Sequence, residues 1–524
     1  MNSDSQNWLS YLPYLWKPVV IRMLFLGFSA GLPLLLIFSS LSLWLNEAGV
    51  NKSEVTYFSW AALGYSFKFI WAPLVGSMPI PFLTQRLGQR RSWLLLSQMA
   101  ILLSIVAMAL TDPANGENGL LVMAIAAVAL GFSSATQDIV IDAYRIESGS
   151  VKVQALMSSM YITGYRLGLI AAGAGALFLA DSFGSSMASY NYSAWRTSYL
   201  VMAALMCSGL ITTFFIPEPV SKKIDLNSLF SYRDHGALLV TFIIAVMGFV
   251  GVFYLSADIT QQLKINLAKL ANNTELAAIL IEGLRLTVGV CVALLIAKTI
   301  SASGFTNPKL LNYFYISPVQ DFFQRYSGRQ ILLLLALISL YRISDIVLGV
   351  ISNVFYSDMG FSKTDIAAVV KTFGLIMALA GGFLGGLIAL KVGIIPALFI
   401  GALLSSLTNL LFMVLANGSA SIEVLYLVIA ADNLSAGIAT TAFVAFLSSL
   451  VNISFTAMQY AIFSSTMTLF PKILGGYSGS MVTAVGYPNF FIITFLLGIP
   501  VLFLIAMLRL DKTFHATNDG KECN

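Results

Sequence analysis

Asp138 and Asp142 stand four residues apart in the stretch SSATQDIVIDAYR (133–145), at the end of an apolar run that begins near Leu120. On a helix this spacing is about one turn, so both carboxylates share a face, and Arg145 continues that face. A charged side chain at the centre of a bilayer costs at least about 2.5–3.5 kcal/mol, so each needs a partner, a water-filled cavity or a function. Two acids in this arrangement suit proton chemistry. Desolvation favours the neutral form of a carboxylate and a nearby cation the ionised form, so neighbouring acids can be driven into different states. Asp138 and Asp142 are therefore the proton-coupling candidates. The proton is assigned to Asp138, the deeper of the two and beside Gln137, and a structural or gating pair to Asp142, nearer Arg145. The type of residue alone leaves the carrier open between them.

Other ionisable side chains fall inside apolar runs: Lys68, Arg166, Arg342, Asp345, Lys371 and Lys472. With the two span-four acids they make five cations against three acids, which suits an electropositive cavity and an anionic substrate. The plainer reading is mutual neutralisation, Asp345 with Arg342 (i, i+3) and Asp142 with Arg145 or Arg166. Lys68 and Lys371 could also snorkel to an interface. AAGAGA (171–176) and GGFLGG (381–386) are small-residue surfaces on which helices approach closely.

The elements that must position these groups are transmembrane helices. The chain has 524 residues, is 58% hydrophobic and only 10% charged, against roughly 25% charged in soluble domains. Apolar runs of about 20 residues, each able to span a bilayer, recur throughout. Spans are expected near 19–45, 55–77, 92–110, 119–144, 153–181 and 196–216, and again near 330–356, 365–390, 393–416, 422–448, 456–481 and 486–509. An inserted pair near 236–257 and 284–300 separates the two sixes, about fourteen helices in all. The organisation is an interfacial segment (1–18), a six-helix half (19–217), a cytoplasmic linker holding the pair (218–329), a second half (330–510) and a tail (511–524).

Arg86, Arg90, Arg91, Arg145, Lys152, Lys222, Lys223 and Arg233 lie on connections of one side, and only Lys52 and Arg196 on the other side of the first half. The positive-inside rule then puts both termini in the cytoplasm. The net charge of +5 thus concerns membrane orientation, not nucleic acid. The three cysteines form no framework or metal pair, and the two histidines fall in the linker and tail. No metal or cofactor is implied. Nor is an enzyme, since there is no nucleophile elbow or P-loop.

The halves are related in sequence. NEAGVNKSEV (46–55) aligns with SDMGFSKTDI (357–366), and SATQDIVIDA (134–143) more weakly with GIATTAFVAF (437–446). A shift of 306 pairs Ser158, Ser159 and Arg166 with Ser464, Ser465 and Lys472. Two such halves joined by a long linker imply the major facilitator architecture, with its site between the halves. QRLGQRRSW (85–93) resembles the basic loop of that superfamily and makes Arg86, Arg90 and Arg91 conformational candidates.

GFSAGLPLLL (27–36), YSFKFIWAPL (65–74), SATQDIVIDAY (134–144), GYRLG (164–168), VVKTFGL (369–375), DNLSAGIATTAFVAFL (432–447) and FTAMQYAIFSS (455–465) resemble AmpG-type muropeptide permeases. So does DFFQRYSGRQILLLLALISLYRISD (321–345). The more distant acetyl-CoA transporters share part of the span-four signature. The resemblance implies a monomeric bacterial inner-membrane importer that uses the proton-motive force. Its substrates would be N-acetylglucosaminyl-1,6-anhydro-N-acetylmuramyl peptides released in cell-wall turnover, and recycling of these supports β-lactamase induction in some bacteria. Family expectation for the site falls on Gln137 and Asp138 and on Gly164 and Arg166, with Gly168 as a packing residue. Lys68, Arg342, Asp345, Lys371, Asn433 and Gln459 complete the substrate-binding candidates. One departure stands out. Where the family often has an acid at the end of span two, this chain has Gly76, so Asp142 or Glu147 would have to serve the basic loop. The alternatives are carriage of another anionic solute such as acetyl-CoA, a membrane enzyme of envelope glycan metabolism, or a non-transporting sensor.

Overall fold

Apolar runs without water to satisfy their backbone must become helices, and in the computed structural model the apolar runs among the described residues of both halves are helical. The structure describes residues 13–14, 16–51, 58, 63–149, 151–186, 189–219, 230–271, 274–362, 365–418, 421–475 and 477–510. Most of the expected interfacial segment, the tail and residues 220–229 and 272–273 of the linker lie outside the described residues.

The first half comprises α1 (Pro18–Ile37), its continuation α2 (Ser39–Glu47), α3 (Gln89–Ala109), α4 (Gly116–Ser148), α5 (Val151–Ile170) with its extension α6 (Ala176–Ser182), and α7 (Tyr192–Phe215). The inserted segment forms α8 (Tyr232–Leu255), α9 (Ala257–Ala271) and α10 (Thr274–Ala302). The second half comprises α11 (Gly328–Leu340), α12 (Ile343–Asp358), α13 (Gly374–Val392), α14 (Ile394–Asn417), α15 (Ile422–Leu450), α16 (Thr456–Gly475) and α17 (Ser478–Leu510). The chain divides into two compact units, residues 1–76, 80–222 and 323–524 in one and residues 77–79 and 223–322 in the other. In the smaller unit α10 packs on α8 and α9. Lys264 and Arg285 flank Glu282 there, at 2.5 and 3.3 Å.

Among the described residues, twelve helices are long and apolar enough to cross a membrane, against about fourteen expected. The two expected spans not among them have separate reasons. The second, near 55–77, is partly outside the described residues, and its remainder is broken into Leu63–Phe67, a tight turn at Lys68–Ile70 and Ala72–Ser77. The span near 456–481 does hold a helix, α16. Gln459, Ser464, Ser465, Thr466, Thr468 and Lys472 make it too polar to register as a lipid-facing segment.

The repeat is visible in matched neighbours. In the first half α3 packs against α4 and α7; in the second, α14 packs against α15 and α17. The aligned acids hold equivalent places. Glu47, ending α2, accepts hydrogen bonds from Trp195 Nε1 on α7 and Ser185 Oγ, both at 2.7 Å. Asp358, ending α12, accepts one from the Tyr487 hydroxyl on α17 at 2.6 Å. The aligned Gly49 and Gly360 both turn the chain at positive φ, +80° and +87°, the conformation that closes a helix C-terminus with little strain only at glycine.

Close approach explains GYRLG and GFSAG. A Cβ on Gly164 would overlap the Leu24 carbonyl, and one on Gly31 the Tyr165 carbonyl. The α1–α5 crossing is therefore backbone on backbone, as small residues allow between membrane helices, and it fixes the face of α5 that bears Tyr161 and Tyr165.

Candidate functional site

Helix α4 carries Asp138, Asp142 and Arg145 on one buried face, and the tight turn at Lys68–Ile70 brings a lysine to them. Asp142 Oδ1 accepts from Arg145 NH2 at 3.2 Å, and its Oδ2 lies 3.7 Å from Lys68 Nζ. All four side chains are buried. Arg145 also donates through NH1 to Ser158 Oγ on α5 (2.8 Å) and Ser448 Oγ on α15 (2.7 Å), and its guanidinium lies 5.1 Å from the Tyr460 ring of α16. Asp138 differs. Its Oδ1 is buried without a hydrogen-bond partner, as are both side-chain polar atoms of neighbouring Gln137. Lys68 and Asp142 act on it electrostatically. One acid is thus clamped by two cations and the other has an unsatisfied oxygen. Unsatisfied buried polar atoms are costly, so this oxygen marks a place for a proton or a ligand group.

The basic loop meets the halves at one end. Arg90 forms a two-pronged pair with Glu147, Nε to Oε2 at 2.9 Å and NH2 to Oε1 at 2.7 Å, with both side chains buried. Its NH1 donates to the Gly76 carbonyl (3.2 Å), and NH2 also to Thr456 Oγ1 in the second half (3.1 Å). Thr456 in turn donates to Glu147. Of the two acids expected to replace the missing one at position 76, Glu147 holds the place, and the Gly76 backbone takes part itself. Glu218 accepts from the backbone N–H groups of Arg90 (2.7 Å) and Arg91 (3.0 Å), at the start of α3 where a helix favours negative charge. Burial pushes the Glu218 carboxyl up from its ordinary 4.5, against the pull of those two N–H groups. The Arg91 side chain donates to the Thr213 and Phe214 carbonyls at the end of α7. Arg86 is exposed.

A second cluster lies in the other half. The break between α11 and α12 places Arg342 immediately before α12, with its Nε 3.7 Å from Asp345 Oδ2. Ser405 donates to Asp345. Asp432 on α15 interacts electrostatically with both Asp345 and Arg342 and hydrogen-bonds Thr408. Asp432 was missed at the sequence level, although it opens the block DNLSAGIATTAF. An acid in an apolar run was the available signal. It reduces the excess of cations counted from the sequence. Arg166 on α5 is close enough to Arg342 for the two charges to repel.

The remaining candidates are placed as follows. Asn433 is half-buried and donates to the Ile429 carbonyl at 3.1 Å. Gln459 accepts from Arg325 (3.1 Å) and from the Asn452 backbone (2.8 Å). Lys371 is exposed and donates to Asn353 Oδ1 at 3.1 Å, and Lys472 is exposed. Gly164 and Gly168 line the α1–α5 crossing.

The Major Facilitator Superfamily profile matches residues 12–318. The chain belongs to this superfamily. Within it the relatives include AmpG-type permeases. A transporter named AmpG 4 from Rickettsia felis is 30% identical over 492 residues, 94% of this chain and 96% of the relative. The anhydromuropeptide permease of Escherichia coli K12 is 26% identical over 97% of this chain and 84% of its own length. Among solved major facilitator structures, a double-tryptophan variant of XylE aligns with a TM-score of 0.60 at 14% identity, covering 97% of this chain and 99% of that one. FucP in its outward conformation aligns at 0.54 and 11% identity, covering 94% and 99%. These structures share the fold. The chain is a multi-pass membrane transporter of the AmpG type.

Proposed function

We propose that the chain is a proton-coupled importer that carries anhydro-muropeptides from the periplasm across the bacterial inner membrane for cell-wall recycling. The observation that carries the reading is the unequal pair on α4: Asp142 clamped by Lys68 and Arg145, Asp138 with a buried oxygen free to take a proton. The match to the anhydromuropeptide permease over nearly the whole chain supports the substrate class. Protonating Asp138 removes an uncompensated charge from a closing site and releases Lys68 from that acid. Lys68, Arg166, Arg342 and Lys371 draw in the carboxylates of the stem peptide, while Gln137, Asp345, Asn433 and Gln459 contribute polar contacts. Both termini face the cytoplasm, following the side on which the basic loop lies. The inserted segment, 218–329, carries none of these residues, and the protein works as a monomer.

The test is uptake by purified protein in liposomes. The expected result is accumulation of intact N-acetylglucosaminyl-anhydro-N-acetylmuramyl peptide under an imposed pH gradient and its loss when the gradient is collapsed. Covalent turnover without uptake, or uptake indifferent to the gradient, contradicts the reading. Arg166→Gln should weaken binding of peptide-bearing ligands more than of the bare disaccharide; equal losses would make that cation structural.

A further inference from the structure

Among the described residues, Arg145 joins Asp142 of the acid pair to the opposite half by hydrogen bonds. Its side chain is 0% exposed. NH2 is spent on Asp142, NH1 on Ser158 of its own half and on Ser448, 303 residues away in the other, and Nε has no partner. A guanidinium is a rigid planar fork, so the direction of one nitrogen fixes the direction of the others. Asp142 therefore aims the group that reaches Ser448.

We propose that Arg145 is the positioning residue that converts the charge state of the Asp138–Asp142 pair into the strength of the contact between the halves. The proposal rests on the proton-coupled reading above. Lys68 sits 3.7 Å from Asp142 and also faces Asp138. When Asp138 is ionised, Lys68 is shared between the two acids, and Arg145 holds Asp142 firmly. When Asp138 takes a proton, Lys68 moves wholly onto Asp142 and competes with Arg145 for it. The fork loosens, NH1 loses Ser448, and this end of the bundle can part. Arg145 keeps Ser158 and the Tyr460 ring, so its charge is not stranded. The other groups facing Arg145 are Tyr161 from α5 and Tyr460 from α16. Facing Asp138 are Lys68, Asp142, Tyr65, Tyr161, Tyr165 and Tyr460. The tyrosines are neutral near neutrality, so the switch is set by Lys68 and the two acids. The same competition links proton loading from one side to opening at the end that bears the basic loop.

The test needs no substrate. Spin labels replace the exposed Phe82 and Val392, one in each half, in full-length protein whose cysteines are changed to serine, reconstituted in lipid. In otherwise unchanged protein the inter-label distance should lengthen as pH falls. Ser448→Ala is a mild change that keeps the Asp142–Arg145 pair; it should lengthen the distance at high pH and lose most of the pH-driven change. Asp142→Asn should do the same, and the double variant should add nothing further. If the two effects add, and Ser448→Ala shifts the distance equally at every pH, the bond is only structural and the proposal is overturned while proton coupling stands. A distance indifferent to pH in the parent protein would overturn the proposal together with the reading it rests on.

Discussion

The two charge clusters sit in related halves and are built differently. In the first half Asp142 is buried beneath two cations, and Asp138 beside it has an unsatisfied oxygen. In the second, Arg342 and Asp345 are partly open, with side chains 25% and 14% exposed, at a 3.7 Å separation and with a serine hydroxyl on the acid. Charge placed in a dry site without slack responds to every change of state, because desolvation magnifies each unpaired charge. Charge that can reach water is screened and adaptable. On the proposed reading the titrating machinery belongs to the first cluster, and the partly open Arg342–Asp345 pair of the second is suited to adaptable solute contact.

Removing an acid should therefore hurt unequally. Asp142→Ala strands Lys68 and Arg145 and is expected to cost about 3–5 kcal/mol, as for a broken buried pair. The check is thermal unfolding in detergent. Asp345→Asn, which keeps the acceptor for Ser405, should cost no more than about 1 kcal/mol. Equal losses would erase the distinction between the clusters. Packing offers a second contrast of smaller size. Gly164→Ala forces the α1–α5 backbones apart and should cost about 1–3 kcal/mol. Gly382→Ala in the second half meets only Thr441 Oγ1 at 3.5 Å, and it should change stability by less than about 1 kcal/mol.

The smallest effect is at Glu218. Glu218→Ala removes the acceptor for two N–H groups at the start of α3 and should cost about 1 kcal/mol, as a lost helix cap does. Its carboxyl is pushed up from 4.5 by burial, so the fold favours the protonated form. That stability is fully present below the ordinary value and is lost as pH rises through the folded one. Glu218→Gln should therefore flatten this part of the pH dependence of unfolding. A steeper dependence in the variant would reverse the sign.

Much of this was legible from residue type and spacing. The acids of SSATQDIVIDAYR, the pairing of Asp345 with Arg342 and of Asp142 with one of Arg145 and Arg166, and the two-half repeat all follow from the sequence. What could not be read is what lies across the chain. Ser448 and Thr456 are ordinary polar residues in sequence, and they matter because α15 and α16 fold against α4 and the basic loop. Lys68 reaches Asp142 through a tight turn where a continuous helix was expected. Of the fourteen expected spans, twelve stand as apolar membrane-length helices among the described residues; the second lies partly outside them, and in α16 hydroxyls make a membrane-length helix polar.

The central claim is that Asp138 carries the coupling proton, and Asp138→Asn tests it most directly. The amide mimics the protonated acid at nearly the same size, so the site should stay formed. With purified variant in liposomes, solute exchange at equal concentrations should remain measurable, while accumulation driven by a pH gradient alone should vanish. If Asp138→Asn still concentrates substrate against its gradient when only a pH gradient is imposed, Asp138 is not the coupling site.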